Sequence, residues 1–225
     1  MSDLEIITTS DGSHSLRNIE LDETYHSIHG AIQESVHVFI RNGLMFFENQ
    51  NRPVEIRILE VGFGTGLNAL LTLKYALGSK LQIHYTSLEA HPVDEKTIQQ
   101  LNYSEIIDLA GAASLFQKVH VASWTQEDAI LSNFVLKKQL GRLQDVDLGN
   151  EQFDVIYFDA FAPAKQPELW EIGMLGKIEQ SMKPGAVFVT YCAKGQLKRD
   201  LRSLGLRVET LPGAPGKKEM VRALK

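Results

Sequence analysis

Two clusters of residues in this chain have the types and spacing to do chemistry. The first is Glu60-Val61-Gly62-Phe63-Gly64-Thr65-Gly66-Leu67-Asn68, which follows an apolar run and opens an apolar-periodic one. That order predicts a strand, a glycine loop and a helix. Glycines let the backbone come close to a ligand, and the unpaired amides of a helix start face whatever is bound. A dinucleotide fingerprint needs G-x-G-x-x-G, and its third glycine would fall on Leu67. The pattern is instead E-x-G-x-G-x-G. An acid two places before the first glycine repels a pyrophosphate and suits a cationic ligand such as the amino group of S-adenosylmethionine.

The second cluster is Phe158-Asp159-Ala160-Phe161-Ala162-Pro163. An acid at the end of a strongly apolar strand must be hydrogen-bonded, open to a cleft or paired with a substrate cation, because burying it alone is costly. The position of Asp159 resembles the D/N-P-P-aromatic signature of amine-methylating enzymes, in which a polar side chain and nearby carbonyls hold a nitrogen toward the methyl donor. A primary amine is nucleophilic only when neutral, so an acceptor that takes or steers its proton has a use there.

The elements that must position these clusters follow from alternating runs. Strands are expected at residues 56–61, 83–88, 119–122, 153–158 and 186–191, with helices near 67–77, 93–101, 127–139, 168–182 and 195–204. Such alternation predicts a doubly wound, mostly parallel sheet. Two last strands at 207–211 and 219–224 flank Pro212-Gly213-Ala214-Pro215-Gly216 and predict an antiparallel C-terminal hairpin, whose loop brings Lys217 and Lys218 to the surface. Residues 1–53 read as an N-terminal extension packed on the same domain as 54–225. Its short strands are expected at 35–40 and 44–47, with a turn at Asn42-Gly43.

In an open α/β sheet the ligand lies at the carboxyl ends of the strands. Glu89, beside Ala90 after the second expected strand, could accept the ribose hydroxyls of an adenosine. Ser123 and Trp124, after the third, could hold and cover its adenine ring.

Composition sets outer limits. The 225 residues, 44% of them hydrophobic, suffice for one substantial domain. No run approaches a membrane span and the first ten residues carry no basic charge, which together predict neither membrane nor secretion and a cytoplasmic location. The single cysteine, Cys192, and scattered histidines predict neither disulfides nor a metal site. The net charge of −5 is unevenly placed: nine basic residues face three acidic ones between Thr190 and Lys225. A local basic face can bind phosphates on an acidic protein.

Taken together, the motifs resemble a specific family, the MnmC/MnmD-type methyltransferase domain that completes 5-methylaminomethyl-2-thiouridine at the tRNA wobble position. The likeness is carried by Asp22-Glu23-Thr24-Tyr25-His26-Ser27, by Gly30 with Glu34 to Phe39, by Gly62 to Asn68, by Asp159 to Lys165 with Pro167 and Trp170, by Thr190-Tyr191-Cys192-Ala193, and by Pro212-Gly213 with Gly216 to Met220.

The resemblance implies a Rossmann-like fold and S-adenosylmethionine-dependent N-methylation of 5-aminomethyl-uridine in tRNA. It puts Glu60, Gly62, Gly64, Thr65, Gly66, Asn68, Glu89, Ala90, Ser123 and Trp124 at the cofactor, with Tyr25 and Ser27 close by, and Asp159 at the aminomethyl group. Phe161, Pro163 and Lys165 would meet the substrate. Lys194, Lys198, Arg199, Arg202, Lys217, Lys218 and Arg222 would meet tRNA phosphates. Family members are often fused to a flavin-dependent oxidase; this chain stops at Lys225, so neither that step nor FAD is expected. Upstream wobble-uridine modification enzymes would then supply the substrate. Two alternatives stay open on the residues alone. One is a methyl or aminopropyl transferase for small amines, the other a non-catalytic subunit that binds the cofactor or tRNA.

Overall fold

The run Phe153–Phe158 is buried at every position and forms a central strand. The structure, a computed structural model, describes residues 4–225. In chain order the strands are β1 (Leu4–Thr8), β2 (His14–Asn18), β3 (Glu23–Thr24), β4 (Glu55–Val61), β5 (Gln82–Glu89), β6 (Glu127–Leu131), β7 (Phe134–Leu140), β8 (Phe153–Phe158), β9 (Met182–Thr190), β10 (Arg207–Pro212) and β11 (Glu219–Leu224). The helices are α1 (Ala31–Ser35), α2 (Phe46–Asn51), α3 (Leu67–Leu77), α4 (Glu95–Ile98), α5 (Tyr103–Ile106), α6 (Ala112–Val121), α7 (Ile172–Ser181) and α8 (Gly195–Ser203).

Eight strands form one sheet in the order β10-β11-β9-β8-β4-β5-β7-β6. Pairings β9-β8-β4-β5-β7 are parallel, and the edge pairings β10-β11, β11-β9 and β7-β6 are antiparallel. The doubly wound Rossmann-like sheet and its C-terminal hairpin are therefore as the sequence predicts. Strand order reverses at β4, with β5 on one side and β8 on the other, so the loops after β4 and β8 diverge and leave a crevice.

Three expectations fail. The strands expected at 35–40 and 44–47 are helical: α1 continues without a break through a π-helical stretch, Val36–Met45, into α2. Its buried residues recur every three or four positions (Ala31, Ser35, Val38 and Phe39, Gly43 and Leu44, Phe47), a helical period that the β-branched run had obscured. Gly43 makes no turn. It lies where the helix crosses the sheet, and a Cβ there would fall 2.9 Å from Val189 Cγ2 and 3.2 Å from the Tyr157 ring. The N-terminal β extension does exist, but as the antiparallel sheet β1-β2-β3.

Residues 119–122 are not a strand. Val119 completes the core face of α6 with Ala112, Leu115 and Phe116. Residues 127–139 are not a helix but the hairpin β6-β7, in which Phe134, Leu136 and Lys138 alternate inward. A lysine on the buried face hid that alternation. Its Nζ donates to the His120 carbonyl at 2.6 Å and lies 4.4 Å from the Trp124 ring centre, which satisfies the charge.

The first helical stretch shares its core with the sheet: Leu16, Val38, Phe39, Leu44 and Phe47 pack in one cluster with Ile56, Tyr85, Tyr157 and Val189. No helix among the described residues is long and apolar enough to cross a membrane.

Candidate active site

The loop after β4 is built by its neighbours. Gly62 donates its amide to the Leu88 carbonyl at 2.9 Å, and Asp159 donates its own to Val61 at 3.0 Å, so the turns after β5, β4 and β8 are laced together. Gly62 has φ +94°, and a Cβ there would collide with the Asp159 carbonyl oxygen. Only glycine allows this approach.

Glu89, at the end of β5, accepts the Gly64 amide at 2.9 Å through one oxygen and the His91 amide at 2.8 Å through the other. The carboxylate thus braces the glycine loop and keeps free lone pairs toward the cavity.

That cavity, about 800 Å³, opens at the switch point. Of the residues assigned to the cofactor by sequence, Gly62, Gly64, Thr65, Asn68, Glu89 and Ala90 line it. Tyr25 joins them from the N-terminal sheet, its ring edge-on to Phe161 at 4.9 Å and close against Gly64. Asn18, Leu21 and His26 complete that wall, which no local sequence signal located. Asp159, Phe161 and Lys165 line the cavity as well.

The remaining assigned residues sit elsewhere. Gly66 lies beneath the loop against His120, whose Nε2 is 3.2 Å from the Thr65 carbonyl. Ser27 is buried behind the wall and accepts the His29 amide at 3.2 Å. Pro163 does not reach the lining, and Lys194 and Lys218 are exposed. Ser123 and Trp124 do not line the cavity either, because the strand that would have aimed them is the helix α6. Trp124 packs edge-on against Phe63 at 5.7 Å and covers Lys138. The third parallel strand is β7, so Gly141, Arg142, Leu143 and Gln144 occupy the place given to Ser123 and Trp124. The inward alternation of Phe134, Leu136 and Lys138 was the signal that could have located them.

Glu60 is completely buried and outside the lining, with Ser87 donating to its Oε2 at 2.5 Å. Burial above all, and then the charge of Asp159, raises its pKa to about 8, against the hydrogen bond from Ser87. Its place sealed behind the lining does not suit the cation-pairing role read from sequence.

Asp159 sits at the cavity floor. Asn68, on the first turn of α3, donates to its Oδ2 at 2.8 Å, and its other oxygen has no hydrogen-bond partner among the described residues. Burial raises its pKa to about 7, the charge of Glu34 adds to this, and the Asn68 hydrogen bond and the Lys217 charge oppose it. The segment that follows is fixed: Tyr191 Oη donates to the Ala160 carbonyl at 2.8 Å and Trp170 Nε1 to that of Phe161 at 2.9 Å. One carboxyl with a raised pKa is therefore held still with a free oxygen, on the cavity lining, an arrangement able to accept a proton or a cation.

The basic face is smaller than sequence suggested. Lys198 pairs with Glu219 at 2.7 Å, and Arg222 pairs with Glu209 at 2.8 Å and stacks on Phe46. Lys217 turns inward to Glu34 at 2.5 Å. Lys194, Arg199, Arg202 and Lys218 remain exposed.

Fold and cavity together define an open α/β protein that takes a ligand between a glycine loop and a strand-end acid at its switch point. Residues 113–225 match the profile of a family described as S-adenosyl-L-methionine-dependent methyltransferase, and the chain belongs to that family. It is 29% identical over 213 residues to the tRNA 5-methylaminomethyl-2-thiouridine biosynthesis bifunctional protein MnmC of Idiomarina loihiensis, covering 89% of this chain and 35% of that protein. The MnmC of Cupriavidus necator is 31% identical over 212 residues, covering 88% and 31%. The chain thus spans about a third of the length of these curated relatives. Among solved structures, the crystal structure of MNMC2 from Aquifex aeolicus superposes with a TM-score of 0.81 at 28% identity, covering 99% of this chain and 70% of that one.

Proposed function

We propose that this chain uses S-adenosylmethionine to N-methylate 5-aminomethyl-(2-thio)uridine at the tRNA wobble position, giving 5-methylaminomethyl-(2-thio)uridine. The observation that carries the reading is Asp159, fixed by Asn68, with one free carboxyl oxygen on the floor of the cavity beside the glycine loop. The relatives' names supply the substrate class.

The cavity fits the cofactor chemically. Gly62 and Gly64 bring bare backbone to its edge, Glu89 offers lone pairs to ribose hydroxyls, and Gly141 to Gln144, after the parallel strand β7, would meet the adenine. When bound, S-adenosylmethionine supplies a methyl group on a sulfonium, already activated for transfer.

The protein's own task is to position and to handle a proton. Asp159 receives the aminomethyl group, steers its ammonium and takes up the proton whose loss makes the nitrogen nucleophilic. Tyr25 and Phe161 form an aromatic wall able to flank a uracil ring removed from its stack. Lys165, at the rim, and the exposed Lys194, Arg199, Arg202 and Lys218 contact phosphates. The enzyme works in the cytoplasm, downstream of the wobble-uridine modification steps that make the aminomethyl group.

Nucleoside mass spectrometry of tRNA carrying unmethylated 5-aminomethyl-uridine, incubated with the protein and S-adenosylmethionine, tests this. A gain of one CH₂ unit on that nucleoside is expected, and Asp159→Ala should reduce turnover at least roughly a hundredfold while cofactor binding persists. No gain despite cofactor binding would overturn the substrate; a fully active Asp159→Ala enzyme would overturn the role of the acid.

A further inference from the structure

Glu34 is a buried carboxylate that neither the glycine loop nor the cavity lining needs. Its side chain is 5% exposed, one oxygen accepts the Ser27 amide at 2.7 Å, and the other meets Lys217 Nζ at 2.5 Å. Lys217 reaches it from the turn between β10 and β11, with its ammonium 3.8 Å from the centre of the Tyr191 ring. Tyr191 in turn donates to the carbonyl of Ala160, the residue after Asp159. The same turn is fastened twice more, by His37 Nε2 at 2.8 Å from the Pro212 carbonyl and by the His29 ring lying directly on Gly216.

We infer that Glu34 and Lys217, joined over Tyr191, are a positioning pair for Asp159: they hold the β10-β11 turn against the acceptor side of the site and act with opposite sign on the charge of its carboxyl. The inference rests on the reading of Asp159 as the acceptor's partner.

A packing role alone does not account for this arrangement. An ion pair is a poor clamp, since apolar residues of equal volume hold such a contact at least as well, and removing either member strands the other. What an ion pair supplies is charge of both signs beside a third group. Asp159 feels both members, Glu34 favouring its protonated form and Lys217 its ionised form.

The other groups around Asp159 do not take over this role. Asn68 is neutral, and Tyr85, Tyr103 and Tyr191 are phenols pushed upward, chiefly by burial. His26, beside the pair, is lowered by burial to about 4 and is neutral at pH 7. Glu60, behind β4, is mostly protonated there. Burial is the largest influence on Asp159, and Glu34 and Lys217 are the charged side chains that add to it and oppose it.

The test reads Asp159 directly. In protein carrying ¹³C-carboxyl aspartate, its resonance is the one absent from Asp159→Asn, and its midpoint is followed against pH in wild type, Glu34→Gln, Lys217→Met and Lys217→Arg. Glu34→Gln should lower the midpoint by roughly half a pH unit or more, Lys217→Met should raise it, and Lys217→Arg should restore it. The low-pH limb of kcat/KM should move in the same directions. Lys217 lies nearer the surface than Glu34, so its two variants decide the matter even where Glu34→Gln does not fold. Midpoints unmoved in variants that merely melt earlier would overturn the pair's role. Wild-type turnover by Asp159→Asn would instead overturn the reading of Asp159, whatever the titrations show.

Discussion

Replacing Glu60 with Gln should stabilise the protein increasingly as pH rises. Glu60 is fully buried and its pKa is raised from 4.5 to about 8, first by desolvation and then by Asp159. A carboxyl with a raised folded pKa binds its proton more tightly in the native state. Its favourable contribution is therefore complete below the unfolded value and is lost as pH climbs through the folded one. Over that interval of about three and a half pH units, at about 1.4 kcal/mol per unit, the wild type gives up about 4–5 kcal/mol that the neutral amide does not. Urea unfolding of both proteins at pH 5, 6, 7 and 8 measures the difference. The amide's own packing adds a constant offset, so the slope is the quantity of interest. It should approach about 1.4 kcal/mol per pH unit in favour of the Glu60→Gln variant between pH 5 and 7 and level off near pH 8. A flat difference, or one that grows in favour of the wild type, would refute the assignment of Glu60 as a sealed, neutral acid.

Other substitutions probe the frame. Gly43→Ala should lower stability by about 1–2 kcal/mol, because overpacking against Val189 and Tyr157 outweighs the helix propensity gained; a higher Tm in a thermal melt would contradict the close helix–sheet crossing. Gly62→Ala should weaken binding of S-adenosylhomocysteine at least roughly tenfold in calorimetry, since its Cβ meets the Asp159 backbone at a positive φ; unchanged affinity would refute the cradle. Lys218→Glu should weaken tRNA binding and reduce the slope of log K against log salt by about one while cofactor affinity holds. An unaltered slope would remove Lys218 from the phosphate face.

The sequence by itself determined the central part of this protein. A glycine loop between an apolar strand and a helix, and an acid ending a strongly apolar strand, are local patterns whose physics needs no partner. Strands β4, β5, β8, β10 and β11 and helix α3 lie where those patterns put them. So do Gly62 and Asp159, each directly after a strand, Glu89 at the end of β5 and Asn68 on the first turn of α3.

Tertiary structure decided what depended on partners distant in the chain. The helical stretch from Ala31 to Asn51 is rich in β-branched and aromatic residues and forms because the sheet offers it a face to bury against. Lys138 reads as a solvent residue and turned a strand into an apparent helix; the Trp124 and Phe63 rings, the His120 carbonyl and the charge of Asp128 make its burial tolerable. Lys217 reads as a surface cation for the same reason. Its charge is consumed by Glu34, 183 residues earlier in the chain, and no local pattern encodes a pairing that only the folded sheet brings within 2.5 Å.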